Sequence, residues 1–386
     1  MPFIGRKPTD APLTSADIQD NIISTAKIQD GAVTAVKYIE PIPFRNIIIN
    51  GDMSIAQRGT SSTGITGSGY YTCDRWRIGA DTAGTWTQSQ DTSVPTGQGF
   101  AKSLKLDCTT ANGSLSGGSA LFYTQRIEGQ NLQYLKKGTA NAESLTASFW
   151  VKSNKTGTYI LMLDDTDNSR SFSQSYTISS ADTWEKKTLT YAGDTSGAFN
   201  NDNARSFDLR FWLVAGGNFT SGTLNTSWNS NTNANLAVGQ VNLADSTDNE
   251  FYITGIQLEA GTSASDFEFL PVDVNLERCQ RYFQFIGGVA NAEIAVGSSD
   301  STTVASFLIN YMTTMRAAPT LAYSTLVVTD NVNYDLTVNS IATSHFSIYS
   351  GRAFFNHNAT ATQYRTAFLK PSATSSTSGI TLSSEL

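Results

Sequence analysis

Charge is scarce in this chain. Only 15% of its 386 residues are charged, against about a quarter in an ordinary soluble domain. The 33 acidic residues outnumber the 26 basic ones, for a net charge of −7. A nucleic-acid partner wants a basic groove or stripe, so that class is excluded. No window approaches the roughly 18 apolar residues of a membrane span, so no membrane insertion is expected. Met1–Asp10 lacks the apolar centre of a secretory signal. Cys73, Cys108 and Cys279 are an odd, scattered set, which reads as free thiols made in a reducing cytoplasm and not as a disulfide framework. His345 and His357 are too few and too isolated for a typical zinc site.

Serine, threonine and asparagine are abundant instead, with 30 glycines and 11% aromatic residues. That aromatic content argues against disorder. Short strands with polar outer faces and long turns suit the composition, so the expected fold class is all-β.

The first 43 residues differ from the rest. Ser15–Ser24 and Thr25–Thr34 match at a period of ten, pairing Ile18 with Ile28, Asp20 with Asp30 and Ile23 with Val33. A ten-residue unit cannot bury its apolar face alone, so it must stack along its own chain or against partner chains. Ile18, Ile22, Ile23, Ile28, Val33 and Val36 form the expected buried edge, through which the chain would oligomerise. An amphipathic helix or a flexible arm is the open alternative, although Asp30-Gly31 favours turns. Glu40–Pro43 reads as a stiff linker.

Residues 44–271 carry a strand pattern throughout. Asn46–Asn50 reads as an apolar strand, and Leu145, Ala147, Phe149 and Val151 alternate with polar or half-exposed neighbours. Further runs fall at 158–163, 172–178, 184–191, 207–214 and 251–258, separated by Asp/Ser/Gly turns. This spacing predicts an antiparallel β-sandwich of the jelly-roll type. A short helical linker is expected over 272–285, capped by Asp273. Residues 286–386 then give a smaller β domain with strands at 304–311, 321–328, 334–338, 346–349 and 364–369.

Catalytic patterns are missing. There is no phosphate-binding glycine loop and no Gly-x-Ser-x-Gly elbow, so no enzymatic activity is expected. Asp164, Asp165 and Asp167 have the oxygens that calcium favours but not the EF-hand spacing, and a polar turn is the better reading. No metal or other cofactor is expected. Phe149, Trp150, Phe207, Phe211 and Trp212 lie in alternating runs and read as core. Trp228 stands alone in a polar loop, which makes it a candidate for glycan contact, with Tyr70 and Tyr71 beside Gly67-Ser-Gly69. Tyr349, Arg352, His357, Tyr364 and Arg365 lie among small polar residues of the last domain and are candidates for surface contact with a partner. Completing the fold is the competing reading for each.

Asn46-Ile-Ile-Ile-Asn-Gly-Asp-Met-Ser54 and Phe251–Glu259 resemble the opening and closing strands of carbohydrate-binding jelly rolls. Gln257-Leu-Glu-Ala-Gly261, Phe267-Glu268, Glu277-Arg-Cys-Gln-Arg-Tyr-Phe283 and Met315-Arg-Ala-Ala-Pro-Thr320 come in an order similar to bacteriophage tail-fibre and related virion proteins. The ten-residue repeat resembles the stacked N-terminal segments of phage fibres. The closing strand has Thr254 and Gly255 where many such jelly rolls carry acidic calcium ligands, so no calcium is carried over. The resemblance implies a structural tail fibre, made in the host cytoplasm and carried on the virion tail. It implies a homotrimer that docks to other phage tail or virion proteins by residues 1–43. Its distal domain would meet a host cell-surface glycan or protein. A head fibre or capsid-decoration protein is the alternative. A virion-borne polysaccharide-degrading enzyme is a third reading, disfavoured because the repeat stops after two units.

Overall fold

The computed structural model describes residues 44–372 and 377–386; the N-terminal repeat, with Ile18, Ile22, Ile23, Ile28, Val33 and Val36, lies outside them. In chain order the first strands are β1 (Ser61–Ile65), β2 (Gly69–Tyr70), β3 (Arg77–Asp81), β4 (Thr85–Asp91), β5 (Ser103–Thr110), β6 (Ala120–Glu128) and β7 (Leu145–Ser153). They are followed by β8 (Gly157–Asp165), β9 (Arg170–Ile178), β10 (Glu185–Tyr191), β11 (Arg205–Ala215), β12 (Asn229–Ser230) and β13 (Glu250–Ala260). One sheet runs β1-β4-β5-β13-β7-β10 and the other β12-β9-β8-β11-β6-β3-β2, with antiparallel neighbours.

Period-two alternation builds the layer between them. Leu104 and Leu106 on β5, Ala147, Phe149 and Val151 on β7, and Phe251 and Ile253 on β13 face Tyr123, Tyr159, Leu161, Phe207, Leu209 and Phe211 of the second sheet in one buried cluster. Phe149 meets Phe211 edge-to-face at 5.0 Å between centroids, the geometry favoured by the ring quadrupole. Trp212 points to the opposite face of β11, yet it is buried too. The segment after β11 folds over it, with Phe219, Leu236 and Ala237 closing a second small cluster.

The closing strand β13 is not continuous in register, which shifts between Thr254 and Gln257. Gly255 sits in this bulge with φ of 62°, and a Cβ there would lie 2.5 Å from the Phe100 ring. Only glycine meets both conditions.

Asn46–Asn50 is not a strand, contrary to its apolar pattern. The segment bonds β13 through Ile47 N and Leu258 O at 2.9 Å and β6 through Gln125, and side chains supply most of what a ladder would. The Gln125 carboxamide accepts from Ile49 N (2.7 Å) and donates to Ile49 O (2.8 Å). Asn46 Oδ1 accepts from Ile48 N and Leu258 N, both at 3.0 Å. Every buried backbone group still needs a partner, and here the polar side chains supply it.

The helix covers Val272–Gln280, shorter than the 272–285 expected. Pro271 holds the N-cap position, and the Asp273 carboxylate accepts only from the adjacent Val274 N. Phe283 already belongs to a strand, since pairing with the chain's last strand competes with the helix.

The later strands are β14 (Phe283–Gly287), β15 (Ala295–Ser299), β16 (Val304–Asn310), β17 (Thr320–Ser324), β18 (Leu326–Thr329), β19 (Asp335–Ser344), β20 (Ser350–His357), β21 (Thr366–Pro371) and β22 (Gly379–Ser383). Six of them close a barrel in the order β15-β16-β20-β19-β18-β21, while β14-β22-β17 form a three-stranded sheet. Phe307, Phe355, Leu326, Val328, Ala353 and Leu369 fill the barrel. The run 321–328 is two strands in different sheets, broken at Thr325 with φ of 48°. Residues 346–349 are a turn, not a strand: it follows His345 at φ 55°, and Ser347 Oγ accepts from Tyr349 N and Ser350 N.

Candidate functional site

The helix, the three-stranded sheet and the sandwich meet in a dense set of polar contacts. Glu128, fully buried at the end of β6, accepts two bonds from the Arg281 guanidinium (2.8 and 2.7 Å) and one from the Tyr282 hydroxyl. Burial opposes its ionisation, but these hydrogen bonds outweigh it and hold the carboxyl below its ordinary range. Arg75 pairs with Glu385 and donates to Arg126 O at 2.6 Å. Arg58 also reaches Glu385 (3.0 Å), and its guanidinium lies 3.6 Å from the Phe283 ring centroid. Ile49, Ile55, Cys279 and Tyr282 form the apolar centre of the junction.

These contacts surround a cavity of ≈ 480 Å³. Arg75, Arg126, Arg278 and Arg281 line it, with Gln125, Gln130, Asn131 and the rings of Phe44, Tyr134 and Tyr282. No carboxylate and no histidine lines it. Phe44 and Tyr134 are 64% and 48% exposed, so each offers one face outward. Burial pushes the Tyr134 hydroxyl up to about 12. Such a wall can donate hydrogen bonds, hold negative charge and stack against an apolar face.

Sequence alone did not gather this site, because its arginines lie at 75, 126, 278 and 281. The only signal was the Glu277–Phe283 motif, which supplies Arg278, Arg281 and Tyr282 to the junction. The companion motif acts nearby. Gln257 donates to Glu259 (2.8 Å) and Ser265 (2.9 Å), and Glu268 accepts from Phe44 N and from Asn46 N (2.9 Å).

Residues singled out in the sequence are dispersed. The Tyr70 hydroxyl donates to Leu386 O at 3.2 Å under the Arg58 guanidinium, and that of Tyr71 to Gly67 O at 2.8 Å. Trp228 packs edge-on against Phe172 and over Phe207, and its indole N–H donates to Ala192 O at 2.8 Å. The loop around it, Thr223–Asn235, forms a separate open groove of ≈ 440 Å³ lined mainly by Asn, Ser and Thr. In the barrel, Arg352 pairs with Asp300 (3.1 Å) and Arg365 with Asp330 (3.4 Å). His357 is buried, its Nδ1 donating to Ala359 O at 2.9 Å. Tyr349 and Tyr364 are 65% and 83% exposed and stand at different turns.

The three aspartates near β8 each have a protein partner. Asp164 pairs with Arg210 (3.0 Å), Asp165 with Lys137 (2.5 Å), and Asp167 accepts from Asn200 (2.9 Å). Among the described residues no group of three or more His, Cys, Asp or Glu is placed to hold a metal ion.

No family model and no curated protein matches this chain. Among solved structures it is similar to a bacteriophage CBA120 tailspike protein 4 domain, at 14% identity over 56% of this chain and 22% of that one, with a TM-score of 0.30. A family 61 carbohydrate-binding module solved with β-1,4-galactotriose matches at 10% identity over 56% of this chain and 99% of that one, with a TM-score of 0.29. A family 11 module from Clostridium thermocellum, solved with a mixed-linked tetrasaccharide, matches at 10% identity over 53% and 98%, with a TM-score of 0.26. The chain thus spans about a fifth of the tailspike and nearly all of each module. Likeness at this level carries no argument about ligand or activity.

Proposed function

We propose that this chain is a structural fibre protein of a bacteriophage that holds a host-surface glycan in the junction cavity without cleaving it. The observation that carries this reading is the cavity wall: arginine, glutamine and asparagine donors beside exposed aromatic faces, with no carboxylate or histidine to run acid–base chemistry. Sugars bind by that combination of hydrogen bonds and stacking on flat C–H faces.

The placement on a phage is supported by the ordered motifs at 257–261, 277–283 and 315–320 and by the ten-residue repeat. In this reading residues 1–43 dock onto tail or virion proteins and join three copies, and the barrel stands distally. Weak sites in three copies add through multivalency. The head-fibre alternative shares every module and differs only in where the chain is mounted.

The labelled full-length chain should bind envelope polysaccharide of the infected host and release no reducing sugar from it. Sugar release that disappears on changing one carboxylate overturns the non-catalytic reading, and failure to bind any envelope glycan overturns the glycan reading. Fitting the chain into a reconstruction of the particle decides between tail and head.

A further inference from the structure

The cavity is cationic in a protein of net charge −7, and among the described residues one of its four guanidinium groups lacks a counter-ion. Arg75 is neutralised by Glu385 and Arg281 by Glu128. Arg278 has no carboxylate within 4 Å among the described residues. Arg278 makes one long hydrogen bond, to Asn46 O at 3.4 Å. Arg126 donates through Nη1 to Leu386 O, while its buried Nε has no partner. Asp208, opposite Arg126 in the ladder, is already held by the fork of Arg205. Burial disfavours the charged form of both groups; Arg205 and Arg77 add to this at Arg126 against Tyr70 and Asp208, and at Arg278 the more distant Glu268 only partly offsets it. An unpaired guanidinium in a partly desolvated wall is an unmet demand for an anion.

We propose that the cavity is selective for acidic saccharides, with a sugar carboxylate seated on Arg278. This rests on the glycan-binding reading above and names the class of glycan. A carboxylate suits a guanidinium because two parallel N–H···O bonds match its geometry. The volume of ≈ 480 Å³ lies in the roughly 300–1,000 Å³ range of small-ligand sites, enough for a short oligosaccharide. Phe44 and Tyr134 at the rim offer ring faces to sugar C–H groups, and the exposed Gln130 and Asn131 offer donors and acceptors to hydroxyls. An acidic peptide would also satisfy the charge. The aromatic rim favours the saccharide.

The test titrates the full-length protein with oligogalacturonate, oligomannuronate and oligosialate, each beside its neutral methyl ester, and with a glutamate hexapeptide. At least one acidic saccharide should bind roughly tenfold or more tightly than its ester. That preference should shrink with added salt. Arg278→Gln should remove most of it while the thermal melt is retained, because Arg278 holds little structure by its one long bond; Arg278→Lys, which keeps the charge, should retain part of it. Equal binding of acid and ester, weakened by Tyr134→Ala, overturns the acidic specificity and leaves the glycan reading standing. Tighter binding of the hexapeptide than of any saccharide overturns both the specificity and the ligand class. No binding of any acidic probe at millimolar concentration overturns the inference; if envelope glycan also fails to bind, the underlying reading falls with it.

Discussion

The guanidinium of Arg75 lies over the ring of Tyr282, 3.4 Å from its centroid. Arg75 belongs to the turn before β3 and Tyr282 to the junction after the helix, so this contact fixes the sandwich against the elements that lead to the barrel. Both side chains are buried, and Glu385 and Glu128 hold their polar ends. Removing one partner of such a set leaves a buried charge uncompensated, which is why the junction answers strongly to small changes.

Asp74 is the acid-sensitive member of this junction. Burial pushes its carboxyl up to about 6, against the Arg58 guanidinium and Gln57 hydrogen bonds. The folded chain therefore holds this proton more tightly than the unfolded chain, whose aspartates titrate near ~3.9. Ionised Asp74 weakens the fold by about 3 kcal/mol above pH ~6, and the penalty is relieved as pH falls from there towards ~4. Urea melts across this window should show that slope, and Asp74→Asn should flatten it. An unchanged slope in the variant removes Asp74 from the account.

Lys137 sits inside a ring of oxygens. Its ammonium lies 2.5 Å from Asp165, 3.0 Å from Asp194, and 2.9 and 2.7 Å from the carbonyls of Ser196 and Gly197. Lys137→Met should destabilise the sandwich by about 3–5 kcal/mol, because buried Asp165 loses its cation while Asp194 keeps Arg170. The oxygens left behind are of the kind that calcium takes, so added calcium should recover part of the lost melting temperature in this variant and do little to the parent. Equal responses in both proteins argue against the ring acting as a cation site.

Gly255→Ala tests the bulge in β13. The added methyl meets the Phe100 ring at 2.5 Å and the backbone keeps a φ of 62°, so a loss of about 1–3 kcal/mol is expected. Pairing it with Phe100→Ala separates the causes, since that variant removes the steric contact and leaves the backbone strain. A double mutant no better than the sum of the singles assigns the effect to φ alone.

The three thiols should be inert in the native protein. Burial pushes Cys108 up to about 11 and raises Cys73 and Cys279 further, and the thiolate is the reactive form. At pH 8 a thiol reagent should label the native chain only at the rate of unfolding, and all three cysteines at once in denaturant. Rapid native labelling at Cys73 or Cys279 contradicts the packing described.

The sandwich strands that the sequence revealed, β7 to β11 and β13, carry apolar residues at alternate positions or, on β8, in one continuous run. The strands from β1 to β6 were overlooked for particular reasons. On β4 the inward positions after Trp86 include Gln88, and on β6 Gln125 interrupts the inward row because it serves the backbone of Ile49. Asn46–Asn50 misled in the other direction, since three consecutive isoleucines look like a strand whether or not a ladder partner is available. Trp212 shows that alternation assigns a face but not its exposure, because a later loop covers that face.

Composition and spacing by themselves determined the all-β class, the antiparallel sandwich and the free thiols, since these depend on local periodicity and residue chemistry. Tertiary structure decided the cavity. Its four arginines come from two regions more than a hundred residues apart, and which of them keep a counter-ion depends on Glu128 and Glu385 reaching across the junction. Charge balance at a site is a sum over spatial neighbours, and no reading along the chain contains that sum.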